Sequence, residues 1–491
     1  KMSVAIIGSG IAGIAAAIRL ASSGYEVTVF EAAESAGGKI KEFRSDGYRF
    51  DAGPSLLTLP VLVDELFTLC GKDSSVYFRY QKLDTICKYF FEDGISIAAF
   101  ADPQKFSKEL FQKTGEPVEH LLTYLSESKA LYDLTAPVFL ERSLHRLNTY
   151  LSTNAWKAFF QLYKLDAFQT LHDRNRKNFQ SEKVVQLFDR YATYNGSDPY
   201  LAPATLKVIP HLEYNLGAYF PEGGMYNIVR SLVNLAEEMG VSFYYNANVE
   251  RILVKNKKAI AVSVNKKEIA FDTIISNMDV VNTYRKLLPG EKHPHNILSQ
   301  ERSSSALVFY WGINKQFPQL DLHNIFFSAD YKKEFDFLTR KKEVYSDPTV
   351  YLNISAKMQA SDAPSGGENW FTMINVPHIG DQNWKAMINE LRTAILKKLS
   401  RLLKEDISSC IVSESILDPQ TIEATTSSYQ GALYGSSSNN RFAAFLRHKN
   451  FSSQIKNLYF CGGSVHPGGG IPLCLLSAKI VSELVQGAKN N

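Results

Sequence analysis

Six residues near the start of the chain, Gly8-Ser9-Gly10-Ile11-Ala12-Gly13, have the types and spacing that hold the pyrophosphate of a dinucleotide. Gly8 permits a tight turn, Gly10 lets a pyrophosphate approach the backbone, and Gly13 lets the following helix pack on its strand. Ser9 and Ala12 complete the stretch that would lie along the cofactor. A helix opening behind such a loop offers unpaired N–H groups and the positive end of its dipole to the phosphates. Glu31 supplies a carboxylate that can accept hydrogen bonds from an adenosine ribose, worth about 1.5–3 kcal/mol for a charged acceptor.

The elements around these residues agree with that chemistry. Val4-Ala5-Ile6-Ile7 is a short apolar run that reads as a buried strand, and an Ala-rich helical stretch containing Ala17 follows to Ser23. Gly24 ends the helix, and Glu26-Val27-Thr28-Val29-Phe30 makes a second strand that closes on Glu31. Strand, Gly turn, helix, strand and terminal acid together form a βαβ nucleotide-binding unit. At 491 residues the chain is long enough for two or three domains. A net charge of +4, with no nucleic-acid-binding motif, excludes a nucleic-acid partner. The five cysteines are scattered without a C-x-x-C, so neither a zinc site nor a disulfide framework is expected, and a reducing compartment follows. His293-Pro294-His295 reads as a loop, and no metal is expected. No uninterrupted apolar run approaches the roughly 18–20 residues of a membrane-spanning helix.

The residues after Glu31 separate the possible dinucleotides. Ala36-Gly37-Gly38-Lys39 follows within a few positions, and then Phe50-Asp51-Ala52-Gly53-Pro54-Ser55. A second Gly pair carrying a cation suits a longer cofactor, whose pyrophosphate and ribityl chain extend past the first loop. Lys39 can meet phosphate or flavin charge, and Gly53-Pro54 lets the backbone pass close to a ring. At this point the chain resembles the FAD-dependent amine oxidase and phytoene desaturase superfamily, which has G-G-[RK] and D-x-G-P in these places. The resemblance continues through Tyr219-Phe220-Pro221-Glu222-Gly223-Gly224-Met225, through Val249 at the position whose backbone meets the adenine, and through a returning strand that ends at Asn277. Near the C-terminus, Cys461-Gly462-Gly463 and His466-Pro467-Gly468-Gly469-Gly470-Ile471-Pro472 precede an S-A-K helix, as in the bacterial carotenoid desaturases. A second helix N-terminus there can stabilise negative charge on a reduced flavin.

The resemblance implies an α/β fold. A Rossmann-type FAD-binding domain is assembled from about 1–75, 219–285 and 425–491 and interrupted by insertions. A mostly β substrate domain falls in 76–102 and 286–424, and a helical, membrane-associating region in 103–218. The implied cofactor is non-covalent FAD, contacted by Gly8, Ser9, Gly10, Ala12, Gly13, Glu31, Gly38, Lys39, Gly53, Pro54, Ser55, Val249, Asn277, Gly462, Gly463, Gly470, Ile471 and Pro472.

Within the desaturases, Phe188 to Ser197, followed by Pro199 and Ala202-Pro203-Ala204-Thr205-Leu206, is similar to the branch that forms the 3,4 double bond of hydroxycarotenoids. Arg190, Tyr191, Tyr194 and Asn195 make a polar, aromatic element able either to sense an end group or to form a structural turn. Removing two hydrogens from a C–C bond needs a hydride acceptor and only a weak base, because a polyene delocalises the developing positive charge. His466, in the loop on the flavin side, is the one candidate for a catalytic group. The expected partners are a lipophilic carotenoid, a membrane surface and an electron acceptor such as oxygen or a quinone, for a cytoplasmic enzyme held peripherally on the membrane. Alternatives of the same fold are a phytoene desaturase, a carotenoid isomerase, an amine oxidase and a non-enzymatic escort of prenylated proteins.

Overall fold

Val4 and Ile6 point to one face of their strand and Ala5 and Ile7 to the other, and all four are buried, so this strand must lie inside a sheet covered on both sides. The computed structural model, which describes residues 1–137, 169–440 and 447–489, shows how this is done. Five parallel strands run in the order Ser242–Tyr244, Glu26–Phe30, Ser3–Ile7, Thr273–Ser276 and Leu458–Phe460. Helices Ile11–Ser22, Tyr226–Glu238 and Ile471–Lys489 cover the face of Val4, Ile6, Val27 and Val29. A three-stranded antiparallel sheet, Val249–Lys255, Lys258–Val264 and Lys267–Ala270, covers the face of Ala5, Ile7 and Phe30.

The second body is a seven-stranded sheet in the order Ile411–Leu417, Ser305–Ile313, Glu368–Val376, Val350–Asn353, His323–Phe326, Thr85–Phe90 and Ser96–Phe100. Its neighbours are antiparallel except His323–Phe326 and Thr85–Phe90, which pair in parallel. Alternation along the strands divides its faces. Phe309, Trp311, Phe326, Leu352 and Trp370 pack beneath helix Trp384–Leu403. Cys87, Tyr89, Ile97 and Ile325 face a helical layer that includes Pro103–Thr114, Val118–Thr135 and Glu182–Asp189.

Phe188 to Ser197 forms the end of helix Glu182–Asp189 and a 3₁₀ turn, Arg190–Asn195, closed by Gly196 in the left-handed region. Much of the aromatic-rich stretch expected to lie at a membrane, residues 138–168, falls outside the described residues.

One helix bears on the question of a membrane span. The helix Ile471–Lys489 is long and apolar enough to cross a membrane by length and composition. Just over half of its apolar window (56%) is buried in the protein, where Leu475, Ala478, Val481 and Val485 pack in the same core as the Ile11–Ser22 helix. Its apolarity is that of a core helix of the parallel sheet.

Candidate active site

The first Gly loop leaves strand Ser3–Ile7 at Gly8 (φ +93°), and helix Ile11–Ser22 begins without a side-chain cap. Close approach explains Gly13, because a Cβ there would stand 2.3 Å from the Gly8 carbonyl oxygen. The second Gly pair lies on this loop. Gly37 N donates to Ser9 O at 2.9 Å, and a Cβ on Gly38 would be 3.2 Å from Gly10 Cα. Glu31 reaches the loop from the end of the second strand, accepting from Ser9 N (2.8 Å), Ser9 Oγ (2.7 Å) and Ala33 N (2.9 Å). Its carboxylate therefore braces the loop from the side on which a ribose would lie. Val249 begins its strand two residues after Ala247, whose N–H donates to Glu31 O at 2.8 Å, so Val249 and Glu31 lie near one another.

Asn277 stands behind the loop. In the amide orientation that satisfies its donors and acceptors, its oxygen accepts from Gly10 N (3.1 Å) and Gly13 N (3.2 Å). A Cβ on Gly462 would fall within 2.7 Å of the same side chain. Asn277 thus ties the first Gly loop to the last. Gly462 N donates to Ser477 Oγ at 3.2 Å, and Gly463 packs on Gly469, which brings Gly470, Ile471 and Pro472 to the start of the second core helix. Ala12 and Ile471, in the first turns of the two packed helices, are both buried.

Lys39 keeps accessible surface at the end of the second Gly pair. Its ammonium donates to Leu433 O at 2.8 Å. Desolvation lowers its pKa below the ordinary lysine value, and the Asp279 carboxylate and Cys474 oppose that shift. Gly53 passes so close to the Lys39 carbonyl that a Cβ would lie 1.9 Å from it, so the Gly53-Pro54-Ser55 segment is laid against the Gly37–Lys39 loop. Asp51, just before it, accepts from Met225 N (3.0 Å) and Tyr226 N (3.1 Å) and pairs with buried Arg49 at 2.9 Å. His466 is 1% exposed, and its backbone is tied to His448 and Asn450. It belongs to the packing of its loop, and its ring has almost no surface on which to meet a substrate.

In the helical layer over the seven-stranded sheet the 3₁₀ turn builds a buried polar cluster. Arg190 donates to Tyr89 OH at 2.8 Å, Tyr191 OH to Glu213 at 2.7 Å, and Tyr194 OH to the other Glu213 oxygen. The Arg190 guanidinium also lies over the rings of Tyr191 and Tyr194. Asn195 closes the turn, half-buried. Beside this cluster Tyr351 OH bridges Ser55 Oγ (2.7 Å) and His323 Nδ1 (2.6 Å). Burial, followed by the Arg190 charge, drops the His323 pKa to about 3 and keeps the ring neutral. Glu213, Tyr351, His323, Asp279 and Tyr434, which stands against Gly469, were not singled out by sequence reasoning. The lone acid of His211-Leu212-Glu213-Tyr214 was a usable signal, because an isolated carboxylate among apolar and aromatic neighbours needs partners when buried.

The loops thus converge at the carboxyl ends of the parallel strands, where ligands bind in open α/β sheets. The sequence profile of the flavin containing amine oxidoreductases matches residues 11–486. The chain belongs to this family. Among its relatives is a 1-hydroxycarotenoid 3,4-desaturase from a Flavobacterium species, 52% identical over 480 residues, or 98% of each chain. A phytoene desaturase from Fusarium fujikuroi is 30% identical, with 100% of this chain and 91% of the relative covered. Cyclohexylamine oxidase from Brevibacterium oxydans has the same fold, with a TM-score of 0.61 at 14% identity over 100% of both chains. The cofactor of this oxidoreductase is FAD, and the residues present fit it. A helix N-terminus without a side-chain cap, close-packed glycines that hold the backbone open, and a desolvated lysine meet the needs of a long dinucleotide.

Proposed function

We propose that this chain desaturates a carotenoid, forming the double bond between carbons 3 and 4 of an acyclic end that carries a hydroxyl on carbon 1. The observation that carries this reading is the 52% identity, over 98% of both chains, to the 1-hydroxycarotenoid 3,4-desaturase. Bound FAD supplies the hydride acceptor, N5 of the flavin.

The protein's own part is to hold and orient. The Gly8–Gly13 and Gly37–Lys39 loops, with Glu31, Val249 and the Gly462–Pro472 turn, bind the dinucleotide non-covalently, and Gly53-Pro54-Ser55 flanks the ring. The segment bearing Arg190, Tyr191, Tyr194 and Asn195 forms the polar wall at the end-group side of the substrate site. Because the polyene spreads positive charge, a neutral oxygen or water suffices to take the proton, and the site needs no strong base. The nucleotide-binding part comprises 1–75, 219–285 and 425–491, and the intervening segments bind the substrate. A substrate that partitions into lipid calls for an enzyme resting on the cytoplasmic face of a membrane, with oxygen or a quinone as the final electron acceptor.

The test is incubation of flavin-loaded enzyme with carotenes that carry or lack the carbon-1 hydroxyl, read by product absorption spectra. Conversion of the hydroxylated carotene by one double bond supports the reading. Faster, multi-step conversion of phytoene moves the chain to the phytoene branch.

A further inference from the structure

The buried polar groups on the substrate side keep two different hydrogen-bond accounts. In the first, Tyr191 and Tyr194 both give their protons to Glu213, and Tyr89 and Tyr194 accept from Arg190. These hydroxyls are spent on one another, so the cluster sets the charge and shape of the wall and offers little to a ligand.

The second account is open on one side. Tyr351 OH lies 2.7 Å from Ser55 Oγ and 2.6 Å from His323 Nδ1. Asn353 Nδ2, a donor to Leu322 O at 3.2 Å, also stands 3.3 Å from the same ring nitrogen. Two donors facing Nδ1 make it an acceptor, so the imidazole proton is on Nε2. Nε2 is buried and has no partner among the described residues, in a side chain only 4% exposed. An unpaired buried N–H is costly, and an apolar side chain on this strand would avoid that cost. What the histidine provides in return is its Nδ1 bond, which takes the Tyr351 proton, so that the Ser55 hydroxyl donates to the Tyr351 oxygen and the second lone pair of that oxygen is left for a ligand. Tyr351 keeps accessible surface, as Lys39 does.

We propose that Tyr351 is the specificity-determining partner of the substrate hydroxyl, and that His323 is the positioning residue that fixes its direction. The substrate O–H donates to the Tyr351 oxygen, whose own proton is already committed to His323. Such a relayed phenol is a stronger acceptor than a free one. Position supports the assignment. A hydroxyl on carbon 1 sits two carbons from carbon 3, so its partner must lie beside the reacting bond. Ser55 brings Tyr351 to the Gly53-Pro54 segment packed on Lys39. The inference rests on the reading that the substrate end is hydroxylated.

The experiment compares the ratio of kcat/KM for a 1-hydroxylated carotene over its non-hydroxylated parent in wild type, Tyr351→Phe and His323→Gln, all loaded with FAD. The expected result is a fall in this ratio of about five- to tenfold in each variant. An unchanged ratio overturns the proposal, even if both rates drop, because a merely structural role lowers both substrates together. Should a variant fail to take up flavin, 3-fluorotyrosine at position 351 of the otherwise native holoenzyme is read by fluorine NMR. A resonance that moves with the hydroxylated carotene and not with its parent supports the proposal, and an equal response to both overturns it. A wild type that prefers the parent refutes the hydroxylated-end reading itself. A wild type with the preference and variants that keep it refute only the role of Tyr351.

Discussion

At the scale of single residues, steric fit and burial make the sharpest predictions. Gly10→Val puts a branched side chain where the pyrophosphate must run, and its Cβ alone would meet the Asn277 amide at 2.8 Å. The variant is expected to purify folded but colourless, with flavin content falling from near stoichiometric to undetectable by absorbance. Retained flavin would refute the assignment of this loop. His323 predicts a pH dependence. Its pKa is near 3 in the folded protein, whereas an unfolded histidine takes its proton near pH 6.5. Between these values the unfolded chain binds more protons, so the stability contributed by the neutral ring is complete above about pH 6.5 and drains away as the pH falls toward 3. Wild type should therefore lose about 2–3 kcal/mol more than His323→Gln between pH 7 and pH 4.5, measured by urea unfolding. Equal losses would contradict the buried neutral assignment. The meeting of the first Gly loop with Glu31 was readable because it depends on spacing within one βαβ unit. His323, Tyr351 and Glu213 were not, because nothing local in their segments announces that three distant stretches meet.

At the scale of elements, the two bodies are tied through Arg49. Its side chain, 3% exposed, pairs with Asp51 on its own strand and with Asp362 of the turn Ala360–Asp362, at 2.9 and 3.3 Å. Asp51 in turn holds the start of helix Tyr226–Glu238. Arg49→Met leaves two buried carboxylates without their cation and is expected to cost about 3–5 kcal/mol, read as a lowered urea midpoint with weaker flavin retention. A midpoint within experimental error of wild type would show that the pairing carries no net stability. The parallel strands and their helices followed from apolar periodicity, since most of them are bounded by a Gly turn. The order of the seven-stranded sheet did not. The parallel pairing of Asn324 with Lys88 joins residues more than 200 positions apart, and alternation within a strand says which face is buried but not which strand lies beside it. The apolar helix Ile471–Lys489 shows the same limit from the other side, because hydropathy alone cannot distinguish a lipid neighbour from the Ile11–Ser22 helix.

At the scale of the whole molecule, the fold joins a five-stranded parallel sheet to a seven-stranded sheet with one face that is aromatic and polar at once, an arrangement that would suit an apolar chain with one hydroxylated end. Delivery of such a chain predicts surface binding to lipid. Helix Pro103–Thr114 exposes Phe111, and Leu201 and Leu216 are also exposed. The protein is expected to float with carotenoid-loaded liposomes, and complete retention in the aqueous fraction would count against this route. The central claim is that hydride leaves a hydroxylated carotenoid end for the flavin. It is tested most directly by anaerobic mixing of the FAD-loaded enzyme with a 1-hydroxylated carotene, following flavin and polyene absorption together in a single turnover. The account predicts that the flavin band bleaches in step with a red shift of the polyene by one conjugated double bond, faster than with the non-hydroxylated parent. A flavin that stays oxidised with the hydroxylated carotene, yet bleaches with phytoene or with a primary amine, would contradict it.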